Sequence, residues 1–211
     1  MKLGDIKIEA LKLMFTTYDG DIDIQQLPLI KSDENYGSYL VAMPGAINRA
    51  FASIEERRVL PVGTYVLNAA DTLASGSFAR FDLSAVEHFF DIARVSRFNS
   101  DICGGEYDSS VPFIREGQTI LIPDYDENSI YTLMYYPSID RVTADTEDSM
   151  EIDIPDRIAC IIPYYIKGDL FREEDPNEAS EARNWFEAAL DQMQHQDNAA
   201  VGGVVNVFSV D

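Results

Sequence analysis

The chain has 211 residues and a formal net charge of −21, from 37 acidic and 16 basic side chains. Hydrophobic residues make up 46% of it and aromatic residues 11%, the composition of a folded chain long enough for one domain with a sizeable insertion. Such an acidic surface repels phosphate groups, which argues against a basic groove for nucleic acid and against binding to an anionic membrane. The charge is most simply a solubility device. A match to a basic partner, or a wall to which DNA does not adhere, is the sharper alternative.

Two helices are predicted near the N-terminus. Residues 3–15 place Ile6, Ala10 and Met14 on one helical face, and the charged residues between them argue against a secretory signal. After a short apolar link at 27–30, residues 33–57 carry apolar side chains every three or four positions. Pro44 interrupts this second pattern, so we expect either a kink there or two helices in series.

The middle of the chain, residues 61–152, is predicted to be β-rich. Runs of β-branched and aromatic residues alternate there with Gly, Asn, Asp and Pro. Arg115–Gln118 separates two apolar runs and predicts a hairpin turn, and residues 124–129 predict a further turn before a strand. Residues 88–97 fit either a helix or a strand, and we favour a strand.

Residues 154–193 are predicted to form two consecutive helices joined by an acidic turn. Asp175 at the cap position, Pro176 at the first helical position and Glu178 at the third form a capping box that starts the second helix. The first helix, Ile158–Ile166, is apolar nearly all round. We therefore expect it to be buried on most sides or to lie between subunits.

These patterns together predict an α+β fold. Residues 1–60 and 153–195 form a small helical bundle, and the β-rich block 61–152 is inserted between its second and third helices. Residues 196–211 form a tail whose last part alternates like a strand. Because an isolated strand is not stable in water, this tail must pair with the chain's own sheet or with an edge on a neighbour.

No metal or cofactor site is expected. Asp124, Asp126 and Asn128 have the spacing that opens a calcium loop, but Ser129 stands where the loop needs glycine and Tyr135 where it needs a bidentate glutamate. The same spacing at 19–23 fails in the same way. Both segments are interpreted as acidic turns, and the two cysteines and two histidines do not have the spacing of zinc ligands.

Catalytic residues are not expected either. The sequence has no nucleophile elbow and no glycine loop suited to phosphate. Pairing Cys103 with His88 or His195 has little support, because both histidines lie in charged or polar runs. Cys160 reads as a small buried side chain within the apolar helix.

Two functional alternatives stay open at this point. One is a carbohydrate-binding or carbohydrate-processing protein, in which Tyr131, Tyr135 and Tyr136 line a sugar site beside a pair of acids. Tyrosines at this spacing are more commonly half-buried residues of a sheet. The other is a binding module that caps a basic partner, and its association would depend strongly on salt.

Three segments of the chain resemble head–tail connector (adaptor) proteins of tailed bacteriophages. They are MKLGDIKIEALKLMF at the start, PGAINRAFASIEERRVLP at 44–61, and above all the stretch 154–193. The most recognisable pieces of that stretch are IPYYI at 162–166 with GDL at 168–170, then EDP at 174–176 and ARNWF at 182–186. Adaptors in this group look like a helix that ends in an acidic turn, followed by a helix with an arginine and an aromatic pair. The resemblance covers the helical parts, less than half of the chain.

The resemblance implies a virion structural protein, without enzymatic activity, that forms a ring of about twelve copies below the portal. The implied partners are further copies of the chain, the portal protein and other neck or tail proteins. Genome DNA passes through the channel without specific binding, and no membrane is involved. The protein is expected in the neck of the virion, after synthesis in the host cytoplasm. The large β-insertion departs from the smallest adaptors and leaves open whether it contacts the tail, the capsid or fibres.

Eight residues are the candidates for contacts with other subunits or with the portal. Those of the apolar helix could bury its excess apolar surface between subunits, those of the next helix match the arginine and aromatic pair of the resemblance, and those of the tail could add to a sheet edge. The candidates are Ile158, Ile162, Tyr165, Arg183, Trp185, Val205, Val207 and Phe208.

Overall fold

The structure, a computed structural model, describes residues 1–15, 23–34, 36–67, 78–99, 106–108 and 110–202, with the backbone alone at 106–107 and 195–202. The fold is α+β, with helices near both ends of the chain and antiparallel sheets in the middle, as predicted. The chain divides into two compact units, one of residues 1–59 and 139–211 and one of residues 60–138. Within the described ranges, none of the helices has the length and apolar content needed to cross a bilayer.

The first unit is helical. Its elements are α1 (Leu3–Met14), a 3₁₀ turn (Ile24–Gln26), α2 (Leu27–Ile30), α3 (Gly37–Glu56), α4 (Asp156–Ala159), α5 (Ile162–Leu170) and α6 (Pro176–Gly202). Helix α5 packs against α1, α3 and α6, so it lies at the centre of the unit. The predicted helix at 3–15 is confirmed as α1, and α3 continues through Pro44 as a single element rather than two helices in series.

The prediction of one continuous apolar helix at Ile158–Ile166 is wrong. The segment forms two helices, α4 and α5, with a turn at Cys160 and Ile161 between them. Pro163 is the physical reason, because it lacks the N–H that would bond to the carbonyl of Ala159, whereas near the start of α5 that N–H is not needed. Cys160 lies at this turn with its side chain exposed, so the prediction that it is buried is also wrong.

The segment that follows the β-rich middle, residues 139–152, belongs to the helical unit. We predicted that the β-rich block extends to residue 152, but the second unit ends at residue 138. Residues 139–152 have no regular alternation to reveal this, and they are held by hydrogen bonds instead. The Ile139 N–H donates to the buried Glu55 carboxylate at 2.7 Å, and the Asn48 amide exchanges two hydrogen bonds with the Val142 backbone. Because Ile139, Val142 and Glu55 are buried, this segment completes the helical core.

The described residues of the second unit form two antiparallel sheets. One has the strand order β1 (Gly63–Leu67), β7 (Ser129–Pro137), β3 (Phe89–Asn99) and β4 (Glu106–Asp108). The other has the order β2 (Phe78–Asp82), β6 (Thr119–Pro123) and β5 (Ile114–Glu116). Alternate residues of these strands, among them Phe81, Val95, Ile120, Tyr131 and Leu133, form one shared hydrophobic core.

Two local predictions are confirmed in this unit. Residues 88–97 are a strand, since β3 covers most of them. The predicted hairpin is formed by β5 and β6, which pair in antiparallel register around a turn where Gly117 adopts φ +63°.

Candidate functional site

The site that follows from the sequence is the helix pair α5–α6, and its geometry starts at Asp175. One carboxylate oxygen of Asp175 accepts hydrogen bonds from the N–H groups of Asn177 and Glu178, both at 3.0 Å, and α6 begins at Pro176 as predicted. The reciprocal half of the predicted capping box is not formed. The Glu178 carboxylate instead lies 2.6 Å from Lys167 Nζ and ties α6 to α5.

The acidic turn before the cap is joined to α3 through Tyr39. The Tyr39 hydroxyl donates to the Glu174 carboxylate at 3.0 Å. Burial, followed by the hydrogen bond to Glu174 and its charge, raises the pKa of Tyr39 above its ordinary value. The hydroxyl therefore stays protonated and donates its hydrogen bond at neutral pH. Through this bond the acidic turn connects α3 with the start of α6.

The two helices approach closely at Gly168. A Cβ at this position would lie 3.1 Å from the carbonyl oxygen of Ala179 and from the backbone nitrogen and Cβ of Arg183. The contact between α5 and α6 then buries Phe186 completely, with its ring packed edge-on against Tyr165 at 4.9 Å between centroids. The pair is thus held by a core of its own, independent of any partner.

The outer side of this pair carries an exposed aromatic surface, which we define as Tyr164, Trp185 and Arg183. The Trp185 side chain is 49% exposed and stacks on Tyr164 with 4.0 Å between centroids and 26° between planes. Arg183 lies over the Tyr165 ring at 3.9 Å, and its Nε is 3.3 Å from a Glu187 carboxylate oxygen. Stacking and the ion pair hold these side chains in fixed positions, although each is partly accessible to solvent.

The predicted interface residues divide into three groups. Ile158 and Ile162 are fully buried and Tyr165 is 4% exposed, so we correct their assignment from interface to core of the helical unit. The reason is that α5 packs against α1, α3 and α6, and these contacts bury Ile162 and Tyr165 within the helical unit. Arg183 and Trp185 lie at the surface, while Val205, Val207 and Phe208 lie outside the described residues.

Tyr164 is the functional candidate that sequence reasoning missed. Its position inside an apolar run suggested one more core residue. In the structure Tyr164 is partly exposed and stacks on Trp185, which is itself 49% exposed. A signal was available in principle, since helical spacing from the buried Ile162 and Tyr165 turns position 164 towards the outside.

The open carbohydrate alternative loses its proposed surface. Tyr131 is 1% exposed and stacks on Tyr125 within the core of the β-rich unit. Strand alternation in β7 places Tyr135 on the same inner side as Tyr131 and Tyr136 on the opposite side. The three tyrosines therefore do not form one binding face.

The acidic turns also have structural roles. The side chain of Asp126 accepts hydrogen bonds from Ser129 Oγ at 2.7 Å and from the Asn128 N–H at 3.0 Å. The Ser129 hydroxyl first, and the Asn128 N–H second, lower the pKa of this carboxyl below its ordinary value. In the part of the chain that the structure describes, no three His, Cys, Asp or Glu side chains come together as a possible metal site.

The weakly supported pairing of Cys103 with His88 or His195 stays untested, because Cys103 and the side chain of His195 lie outside the described residues. Comparison of the chain with protein-family models, and with curated proteins, finds no match in either.

Proposed function

We propose that this protein is a structural component of a tailed bacteriophage neck, a connector that assembles as a ring between the portal and the tail. The observation that carries the proposal is the α5–α6 pair, which bears the sequence resemblance and presents Trp185 stacked on Tyr164 at its surface. Tryptophan, tyrosine and arginine are the residues most enriched at the energetic centres of protein interfaces. Their grouping here favours assembly over catalysis.

Charge supports the same proposal. With a net charge of −21, copies of the chain arranged around a channel would present a wall that repels the DNA phosphates. The genome could then pass without adhering. The acidic balance also fits the basic-partner alternative, which the resemblance does not support.

The proposed partners follow from this role. They are further copies of the chain in a ring of about twelve, the portal protein, and other neck or tail proteins. The exposed aromatic surface supplies a contact for one of them. The β-rich unit, with its own closed core, is available as an independent module for another.

The proposal is tested by sedimentation of the purified chain, alone and mixed with the portal protein encoded by the same phage or prophage. We expect the chain to co-sediment with portal, and Trp185→Ser to reduce the bound fraction about tenfold, as loss of an interface anchor does. Phe98→Ser is the matched control, because Phe98 is a similarly exposed aromatic residue, 41% exposed, in the other unit. A wild-type chain that never associates with portal would refute the proposal.

A further inference from the structure

A groove in the helical unit lies apart from the exposed aromatic surface. It has a volume of about 230 Å³ and is lined by the apolar side chains of Leu27, Leu40, Val41 and Pro44 on one side. Pockets for small molecules are typically about 300 Å³ or larger, so this groove is suited to one or two side chains of a protein segment.

The rim of this groove is apolar and open. Val41 is 61% exposed on α3, and Leu29, next to the groove residue Pro28 on α2, is 76% exposed. These are the two most exposed large apolar side chains among the described residues. Both residues lie on helices that line the groove, so a partner seated there could cover apolar side chains that are otherwise in contact with water.

Two lysines, Lys7 and Lys31, also line the groove. Lys7 is buried and paired with Asp148 at 2.6 Å, so its charge is neutralised locally. Lys31 is exposed on the rim, and no carboxylate of the described residues lies within ion-pair distance of its Nζ. In a chain of charge −21, a cation that pairs with no described carboxylate and lies beside an apolar groove is complementary to an apolar segment that carries an acid.

We propose that this groove binds the C-terminal segment, residues 204–211, of a second copy of the chain. That segment lies outside the described structure, and its sequence VVNVFSVD supplies four valines, one phenylalanine and a single acid, Asp211, with no base. Its apolar side chains match the groove in chemistry, with Phe208 as the largest candidate to fill it. The Asp211 carboxylate is the complement of Lys31.

The direction of α6 decides between the chain's own groove and that of another copy. Glu174, just before α6, bonds to Tyr39 near the start of α3, whereas Glu187 and Asp191 of α6 pair with Arg57 at the end of α3. Helix α6 therefore runs alongside α3 in the same direction. The groove lies by the first half of α3, so α6 carries the C-terminus away from it.

The distances exclude binding within one chain. At a rise of about 1.5 Å per residue, α3 advances roughly 20 Å from Pro44 to Arg57, and α6 roughly 16 Å from Asp191 to Gly202. Gly202 is therefore roughly 35 Å from the groove, while residues 203–208, which lead to Phe208, span at most about 22 Å when fully extended. The segment reaches only the groove of a second copy, in a head-to-tail contact that closes into a ring or continues as a filament.

A direct test uses a fluorescein-labelled peptide of residues 202–211 and the full-length chain carrying Phe208→Ser, whose own tail cannot compete. We expect the peptide to bind and its fluorescence anisotropy to rise. Adding Lys31→Glu should weaken the affinity at least about tenfold, and a peptide with Asp211→Lys should restore it. Ile114→Ser, a change at an apolar side chain that is 52% exposed in the β-rich unit, is the matched control and should leave the affinity unchanged.

A mixing experiment tests the head-to-tail geometry. Full-length Lys31→Glu and Phe208→Ser chains, each shown to be folded by circular dichroism, should each lose self-association in sedimentation velocity. Mixed together they should form a one-to-one complex, because one supplies an intact tail and the other an intact groove. The proposal is overturned if the peptide does not bind, if Lys31→Glu leaves its binding unchanged, or if the mixture stays monomeric. Portal is absent from both experiments, so their outcome is independent of the proposed neck function.

Discussion

Substitution of Ile162 separates a core role from an interface role at the centre of α5. The side chain is fully buried, and α5 packs on α1, α3 and α6. Truncating a buried isoleucine to alanine typically costs about 2–5 kcal/mol, because both the transfer energy and packing are lost, whereas truncation to valine costs about 1 kcal/mol. Against a total stability of about 5–15 kcal/mol, Ile162→Ala should markedly weaken the helical unit.

The comparison variant is Trp185→Ala. Its ring is already 49% exposed, so the loss is mainly the stack on Tyr164, about 1 kcal/mol. Urea unfolding followed by helical circular dichroism should rank the free energies of unfolding as wild type, then Trp185→Ala, then Ile162→Ala. Ile162→Asp should not fold, since it buries a charge without a partner.

The refuting result is specific. If Ile162→Ala unfolds at the same urea concentration as the wild type while losing association with portal, Ile162 is an interface residue and its burial within one chain is the wrong description. Retained portal binding by the folded fraction of Ile162→Ala is the expected outcome, because the exposed aromatic surface is unchanged.

Three further predictions concern stability. Glu55→Ala should lower the free energy of unfolding in urea by about 2–4 kcal/mol, because it leaves the buried Ile139 N–H without its acceptor. Glu55→Gln keeps an acceptor oxygen and should cost less, and equal effects of the two changes would count against the role of that hydrogen bond. Gly168→Ala should destabilise the fold by about 1–3 kcal/mol, because the added Cβ forces α5 away from α6, and should therefore lower the midpoint of thermal unfolding. An unchanged midpoint would show that the helices accommodate the methyl group without cost. The hydrogen bond from Ser129 lowers the pKa of Asp126 in the folded chain, so the ionised carboxylate stabilises the fold above its unfolded pKa of about 3.9, and this stabilisation is lost as the pH falls through the folded pKa. Asp126→Asn should therefore make the midpoint of thermal unfolding less dependent on pH in the acid range, and an unaltered dependence would contradict the assignment.

Features that rest on local chemistry could be predicted from the sequence. The cap at Asp175 needs only a carboxylate before Pro176 and free N–H groups after it, and the structure has both. The hairpin at Gly117 needs one residue that accepts a positive φ between two apolar runs. Each signal lies within a few residues, so the rest of the fold does not change its meaning.

Features that rest on distant contacts could not be predicted in the same way. Residues 139–152 have no periodic pattern, and groups far away in sequence fix them in the helical unit. Among these groups are the side chains of Glu55 and Asn48, and Lys7, which pairs with Asp148. An apolar run such as 158–166 shows that its side chains must be buried, but it does not show whether other helices of the same chain or a neighbouring subunit bury them. Here α1, α3 and α6 bury them, so the proposed interface is limited to Trp185 and to Tyr164, the partly exposed tyrosine of that run.

Native mass spectrometry of the chain mixed with its portal tests the proposed connector role most directly. The predicted result is a complex in which several copies of the chain, up to about twelve, bind one portal ring, and in which Trp185→Ser lowers the number bound. Portal that carries no copy of the folded wild-type chain at saturating concentration would contradict the proposed function.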